Sequence, residues 1–257
     1  AQYKESMERA SGRAIEIEIV EWRDLDSIPH LTDGYQYGAD EYFNARKALA
    51  EGAKLEDTVF GQHAGASEDY ARAAQEQGIP QMVNDGKVDE VWFFGDHYFG
   101  IAESFMFGPG AFFINGPVYP DVPVDRPFTG YGFSYERGVA EMIHNTCHRA
   151  EATMNRFFGE WDLANPVNDW ELFSANAFQS NGVSGVGTCH YPANGTSDYD
   201  YANTRVVQSF ADGFLDYPNL DTTVRPVSRD AWSKSENPDY QRDYLEWYFT
   251  RLPRGDG

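Results

Sequence analysis

The sequence predicts an α+β fold, or a small α/β sheet, with one long central helix and extensive aromatic and glycine-rich loops. Three observations predict it. Strand-length apolar runs and helix-like stretches alternate over the first 130 residues. The segment 134–158 keeps a helical period for about seven turns. Beyond residue 160 the pattern becomes irregular, and Gly, Asn, Asp and Tyr dominate long connections. No linker composition interrupts the chain, so the expectation is a single domain over 1–257.

The elements follow in order. Residues 14–20, Ala-Ile-Glu-Ile-Glu-Ile-Val, alternate cleanly and read as a strand with one wet face. Asp40 to Glu51 reads as a helix stopped by Gly52, and Glu68 to Gln77 as a second, capped by Ser67 and ended by Gly78. Val88 to Phe94 suits a buried strand, Tyr98 to Phe105 another, and Phe128 to Phe133 a third. Residues 106–127 hold many Gly and Pro and read as a long loop. The long helix runs from Ser134, a candidate N-cap, to Phe158. Asp169 to Ala177 reads as a short helix, Ser180 to Thr196 as a loop, and Tyr240 to Thr250 as a terminal helix closed by Pro253.

The 257 residues carry a formal charge of −21 and a pI near 4.5. Such a surface repels phosphate backbones, so nucleic acid is excluded as an expected partner, and excess carboxylate favours divalent cations. No apolar run approaches the length of a membrane span. The chain opens on Ala1-Gln2-Tyr3-Lys4 without a visible leader, which fits a mature secreted domain or a cytosolic one.

The chemistry concentrates on the long helix. Glu141, His144, His148 and Glu151 are spaced by three, four and three residues and so share one face. Two His at i and i+4 can close on one metal ion, and a carboxylate one turn away can complete its surroundings. A second stripe, Val139, Ile143, Ala150, Met154 and Phe157, lies about 150° around the helix, and an ordinary amphipathic helix would turn the His/Glu stripe to water. Both readings stand at this point. The two cysteines, Cys147 and Cys189, each precede a histidine, His148 and His190. A disulfide between them, with Cα atoms about 5.5 Å apart, would bring His190 to the helix site; two unbridged buried cysteines are the alternative. Asp198-Tyr199-Asp200 near Asn203 is a partial calcium pattern that reads better as a polar turn. His30, His63 and His97 stand alone and read as packing or solvent-facing residues.

Several segments together resemble a family of secreted bacterial domains found in large extracellular proteins beside adhesion-type or sugar-binding modules. They are Asp89-Glu90-Val91-Trp92-Phe93-Phe94-Gly95, Glu103-Ser104 with Gly108-Pro109, Tyr135-Glu136-Arg137-Gly138 through His148-Arg149-Ala150-Glu151, Cys189-His190-Tyr191-Pro192, and Trp247-Tyr248 before Leu252-Pro253. The resemblance runs from about residue 85 to the C-terminus. It implies an extracellular location and brings no activity with it.

Three functions are compatible with these residues. The leading expectation is an extracellular metal-dependent hydrolase acting on a polysaccharide or peptide, with its site over the 134–158 helix and the 180–196 loop. His144, His148 and His190 would hold a divalent metal, zinc ahead of calcium; Glu141 or Glu151 would be a further ligand or would orient an imidazole. Glu136 or Glu103 would act as general base. The residue after the first helix histidine is Asn145, not the Glu of the HExxH protease helix, so that protease mechanism does not transfer. The second function is a metal-free glycoside hydrolase or polysaccharide lyase using Glu103 and Glu136 as paired carboxylates. The third is a non-catalytic glycan-binding or adhesion module, with the His/Glu stripe as a satisfied buried network.

Overall fold

The structure is a computed structural model. It describes residues 1–159 and 161–253, with the His97 side chain outside the described residues. The fold is α+β, with a mixed four-stranded sheet and a long helix. In chain order the helices are α1 (Gln2–Ala10), α2 (Ala39–Ala50), α3 (Val59–Gln62), α4 (Tyr70–Glu76), α5 (Ile79–Asn84), α6 (Val139–Phe158), α7 (Asp169–Ser174) and α8 (Tyr240–Arg251). The strands are β1 (Glu90–Gly95), β2 (Ser104–Phe107), β3 (Val118–Tyr119), β4 (Phe128–Ser134), β5 (Val207–Ser209) and β6 (Arg225–Val227). The chain forms two compact units, one made of Ala1–Glu18 with Gly138–Gly257, the other of Ile19–Arg137.

In the unit Ile19–Arg137 the sheet order is β1-β4-β2-β3. β4 runs parallel to β1 and antiparallel to β2, and β2 runs parallel to β3. Every residue of β4 from Phe128 to Phe133 is buried, as a central strand requires. Its glycines are dictated by crowding: a Cβ on Gly130 would strike the Phe105 ring, and one on Gly132 would strike the Ala102 carbonyl oxygen. Tyr70, Phe105, Phe107 and Phe128 form the core over this sheet, with Tyr70 stacked on Phe105 at 3.9 Å between ring centroids.

In the unit Ala1–Glu18 with Gly138–Gly257, α1, α6 and α8 pack on one another. Tyr244, Leu245, Trp247, Tyr248 and Phe249 of α8 are buried, as are Trp170 and Phe173 of α7. Almost all the rest is turn and loop, including residues 175–206, and much of that loop is buried.

Several expected elements are corrected. Residues 14–20 form no strand, and Ile15, Ile19 and Val20 are exposed. A strand needs a neighbour, and here side chains of α1 and its C-cap take the backbone groups instead: Ser11 Oγ accepts the Ile15 N–H, Glu8 accepts the Ile17 N–H, and Lys4 donates to the Ile17 carbonyl. Asp69, not Ser67, caps α4, accepting the Arg72 N–H at 3.0 Å. Gly78 closes α4 and leads directly into α5, an element not anticipated, as α1 was not. The expected strand 98–105 is a 3-10 turn (His97–Phe99) followed by the shorter β2, because Gly100 adopts φ +71° to pass close to the Ser67 backbone. The 106–127 loop contains the end of β2 and all of β3. Ser134 remains paired in β4, and α6 starts five residues later with Gly138 as N-cap.

Candidate metal centre

The site lies wholly within the unit that contains α6. The buried face of α6 carries Ala140, Ile143, His144, Cys147 and Glu151, at helical spacing. Part of the polar stripe turns inward beside Ile143 of the apolar stripe; His144 is 4% exposed and Glu151 7%, while Glu141 and His148 are half-buried. The outer end of the competing apolar stripe, Phe157, is 81% exposed. Burying an imidazole and a carboxylate on one face is costly unless both are engaged.

Cys147 and Cys189 form a disulfide across 42 residues of sequence, with Cα atoms 5.9 Å apart. It fastens the 186–203 loop to the middle of α6 and places His190 beside His148. Further bonds hold the loop in shape. Glu151 Oε1 accepts the Cys189 N–H at 2.7 Å. Tyr244 donates toward the carbonyls of Val186 and Thr188, and Tyr201 donates to the Cys189 carbonyl. Thr188 Oγ1 accepts the backbone N–H groups of His190 and Tyr191. Burial alone would raise the Asp200 carboxyl, but donation from Asn203 and Thr196 outweighs it and holds the group below the usual carboxylate range. Burial pushes the Tyr201 and Tyr244 phenols up, so both remain neutral donors.

Three imidazoles meet over this staple. One ring nitrogen from each of His144, His148 and His190 falls within a common sphere of contacts no longer than 4.8 Å. His148 Nε2 and His190 Nε2 are 3.2 Å apart. On the far side of each ring stands a carboxylate: Glu151 Oε2 lies 3.5 Å from His148 Nδ1, and Asp198 Oδ1 lies 2.9 Å from His190 Nδ1. With one ring protonated on Nε2 the contact is a hydrogen bond; with both protons on Nδ1, facing the carboxylates, the two Nε2 lone pairs converge as a pair of metal ligands would. The spacing suits a metal ion: with bonds of about 2.0–2.1 Å, tetrahedral ligand atoms sit about 3.3–3.4 Å apart. Tyr199 completes the wall, its ring 4.5 Å from that of His190 and its hydroxyl 3.3 Å from His190 Nε2.

The structure thus gathers His144, His148, His190 and Glu151, with Glu151 placed behind an imidazole. Glu141 faces elsewhere: its Oε2 accepts the Gly138 N–H at 2.9 Å and closes the start of α6. Glu103 and Glu136 belong to the other unit, where Asn115 donates to Glu103, Arg137 lies 4.0 Å from it, and Arg46 donates to Glu136 at 2.8 Å. Cys147, Glu151 and Cys189 also cluster, but the bridge occupies both sulfurs. Two site residues escaped the sequence reading. Asp198 and Tyr199 looked like a polar turn or a calcium fragment, but Asp198 serves His190 and Asp200 is held by Thr196 and Asn203. The turn chemistry of Pro192 and Asn194-Gly195 between His190 and Asp198 was the available signal, since it folds the chain back until the Tyr199 N–H reaches the His190 carbonyl.

Comparison with protein families, characterised proteins and solved structures finds no match to this chain.

Proposed function

We propose that this chain is an extracellular metal-dependent hydrolase whose centre is one divalent transition metal, zinc first, held by His144, His148 and His190. The observation that carries this reading is the pair of Nε2 atoms at 3.2 Å with a carboxylate behind each ring. Structural zinc sites use four protein ligands, commonly cysteines, whereas three imidazoles with access to solvent are the donor set of catalytic ones. Imidazole donors also favour zinc, copper, nickel or iron over calcium, which takes oxygen. A metal there would polarise a substrate carbonyl and a water molecule. The protein's own contribution is to orient the His148 and His190 rings, through Glu151 and Asp198, and to fix the loop against α6.

A buried disulfide beside the centre supports an oxidising, extracellular setting. The substrate class is a neutral polysaccharide or a peptide. Phe178, 56% exposed, stacks parallel to Tyr191, the residue after His190, and offers a flat apolar face near the site. The net charge of −21 disfavours polyanions.

Metal analysis of the purified protein, followed by chelation, tests the proposal. About one equivalent of metal per chain is expected. A ligand at one hundred times its Kd adds about 2.7 kcal/mol, so chelation should lower the melting temperature by several degrees. A metal-free protein whose melting is indifferent to both chelator and added zinc would end the reading.

A further inference from the structure

Building on the three-imidazole reading, we infer that the Tyr199 phenol oxygen is a fourth ligand of the same centre, a displaceable one that closes the position where substrate enters. Four observations point there. The Tyr199 hydroxyl is 3.3 Å from His190 Nε2, close to the 3.2 Å that separates Nε2 of His148 from Nε2 of His190. Both distances are close to the separation of about 3.3–3.4 Å expected between two tetrahedral ligand atoms on bonds of about 2.0–2.1 Å. The Tyr199 ring centroid stands 5.8 Å from that of His144 and 4.5 Å from that of His190, so the ring packs beside both imidazoles. The residue takes φ +57°, a left-handed backbone that a bulky side chain rarely adopts, and its N–H is tied to the His190 carbonyl at 2.9 Å. Its neighbour Asp198 is the carboxylate that orients His190. One short segment therefore positions a ligand and supplies another.

Tyr199 is also 50% exposed, while Tyr201, two residues on, is buried. A half-exposed ring can leave the centre without opening the core. A metal bound by the phenol would displace its proton to solvent, and withdrawal of the ring would return a proton to the phenol oxygen and leave the three imidazoles as the protein's ligands.

The test uses the full chain loaded with Cu²⁺, because a copper-bound tyrosinate gives a charge-transfer band in the visible that copper on imidazoles alone does not. Wild type should bind one equivalent and show the band. Tyr199→Phe should keep the equivalent and lose the band, and Tyr191→Phe should keep both. Stoichiometric copper without the band in wild type, or a band that survives in Tyr199→Phe, overturns the fourth ligand and leaves the imidazole centre standing. No stoichiometric copper in wild type overturns the imidazole centre itself.

Discussion

Glu151, in the unit with α6, and Glu68, in the unit with the four-stranded sheet, are both carboxylates withdrawn from solvent, at 7% and 5% exposure. Their surroundings differ. Glu151 takes the Cys189 N–H on one oxygen and faces His148 with the other. Glu68 makes no side-chain hydrogen bond to a described residue; its burial, reinforced by the neighbouring charge of Asp69, pushes its pKa up to about 8. In the first arrangement both carboxylate oxygens face named partners. The second is a strained core residue that sets pH dependence. The difference teaches that buried charge is informative through its partners, and that burial alone does not mark a functional acid.

The largest effect that could break this contrast is removal of the staple. Replacing Cys147 and Cys189 by Ser frees a loop of 42 residues and should cost about 4 kcal/mol. Chemical denaturation measures it, and metal affinity should fall in the same variant, since His190 is delivered by that loop. A stable double variant with unchanged metal affinity would show that the loop is positioned by other contacts.

Of comparable size, summed over its whole pH range, is the pH response of Glu68. Its folded pKa is raised, so the folded state holds its proton over a range in which the unfolded chain has lost it. The associated stability is fully present below about pH 4.5 and is lost as pH rises through about 8, at up to about 1.4 kcal/mol per pH unit. Glu68→Gln should flatten denaturation midpoints across that window. An unchanged profile would mean that the carboxyl is not buried in solution.

Asp198→Asn sharpens the other half of the comparison. It keeps the shape of the side chain but removes the charge behind His190 Nδ1, and metal affinity should weaken 10–100-fold with little loss of stability. Zinc titration reads it; the same affinity in the variant would reduce Asp198 to a surface residue. The smallest effect is at the start of α7, where Asn168 accepts the Glu171 N–H at 2.9 Å. Asn168→Ala should cost about 1 kcal/mol by thermal melting and leave metal affinity unchanged.

How far the sequence could be read follows from the same physics. Local signals carried well where one helix or strand satisfies itself: α2, α8, β1 and β4 lie close to where period and punctuation put them. Residues 14–20 misled because alternation describes a strand without supplying its neighbour, and Ser11 and Glu8 supplied the hydrogen bonds instead. Ser134 misled because a good cap is outcompeted by sheet pairing. In the site, His144, His148 and Glu151 were legible from helical spacing, and Cys189 announced His190 by adjacency. Asp198 and Tyr199 depend on how a long loop turns back, and that depends on the Tyr201, Tyr244 and Glu151 contacts across the fold. The two-unit organisation has no composition break to announce it.

The most direct test of the central claim is X-ray absorption at the metal edge of the zinc-loaded full chain. The account predicts one zinc per chain with imidazole scattering from three histidines at about 2.0–2.1 Å, reduced in His144→Ala and His190→Ala. A spectrum of hydrated zinc, or one unchanged by both substitutions, would contradict it.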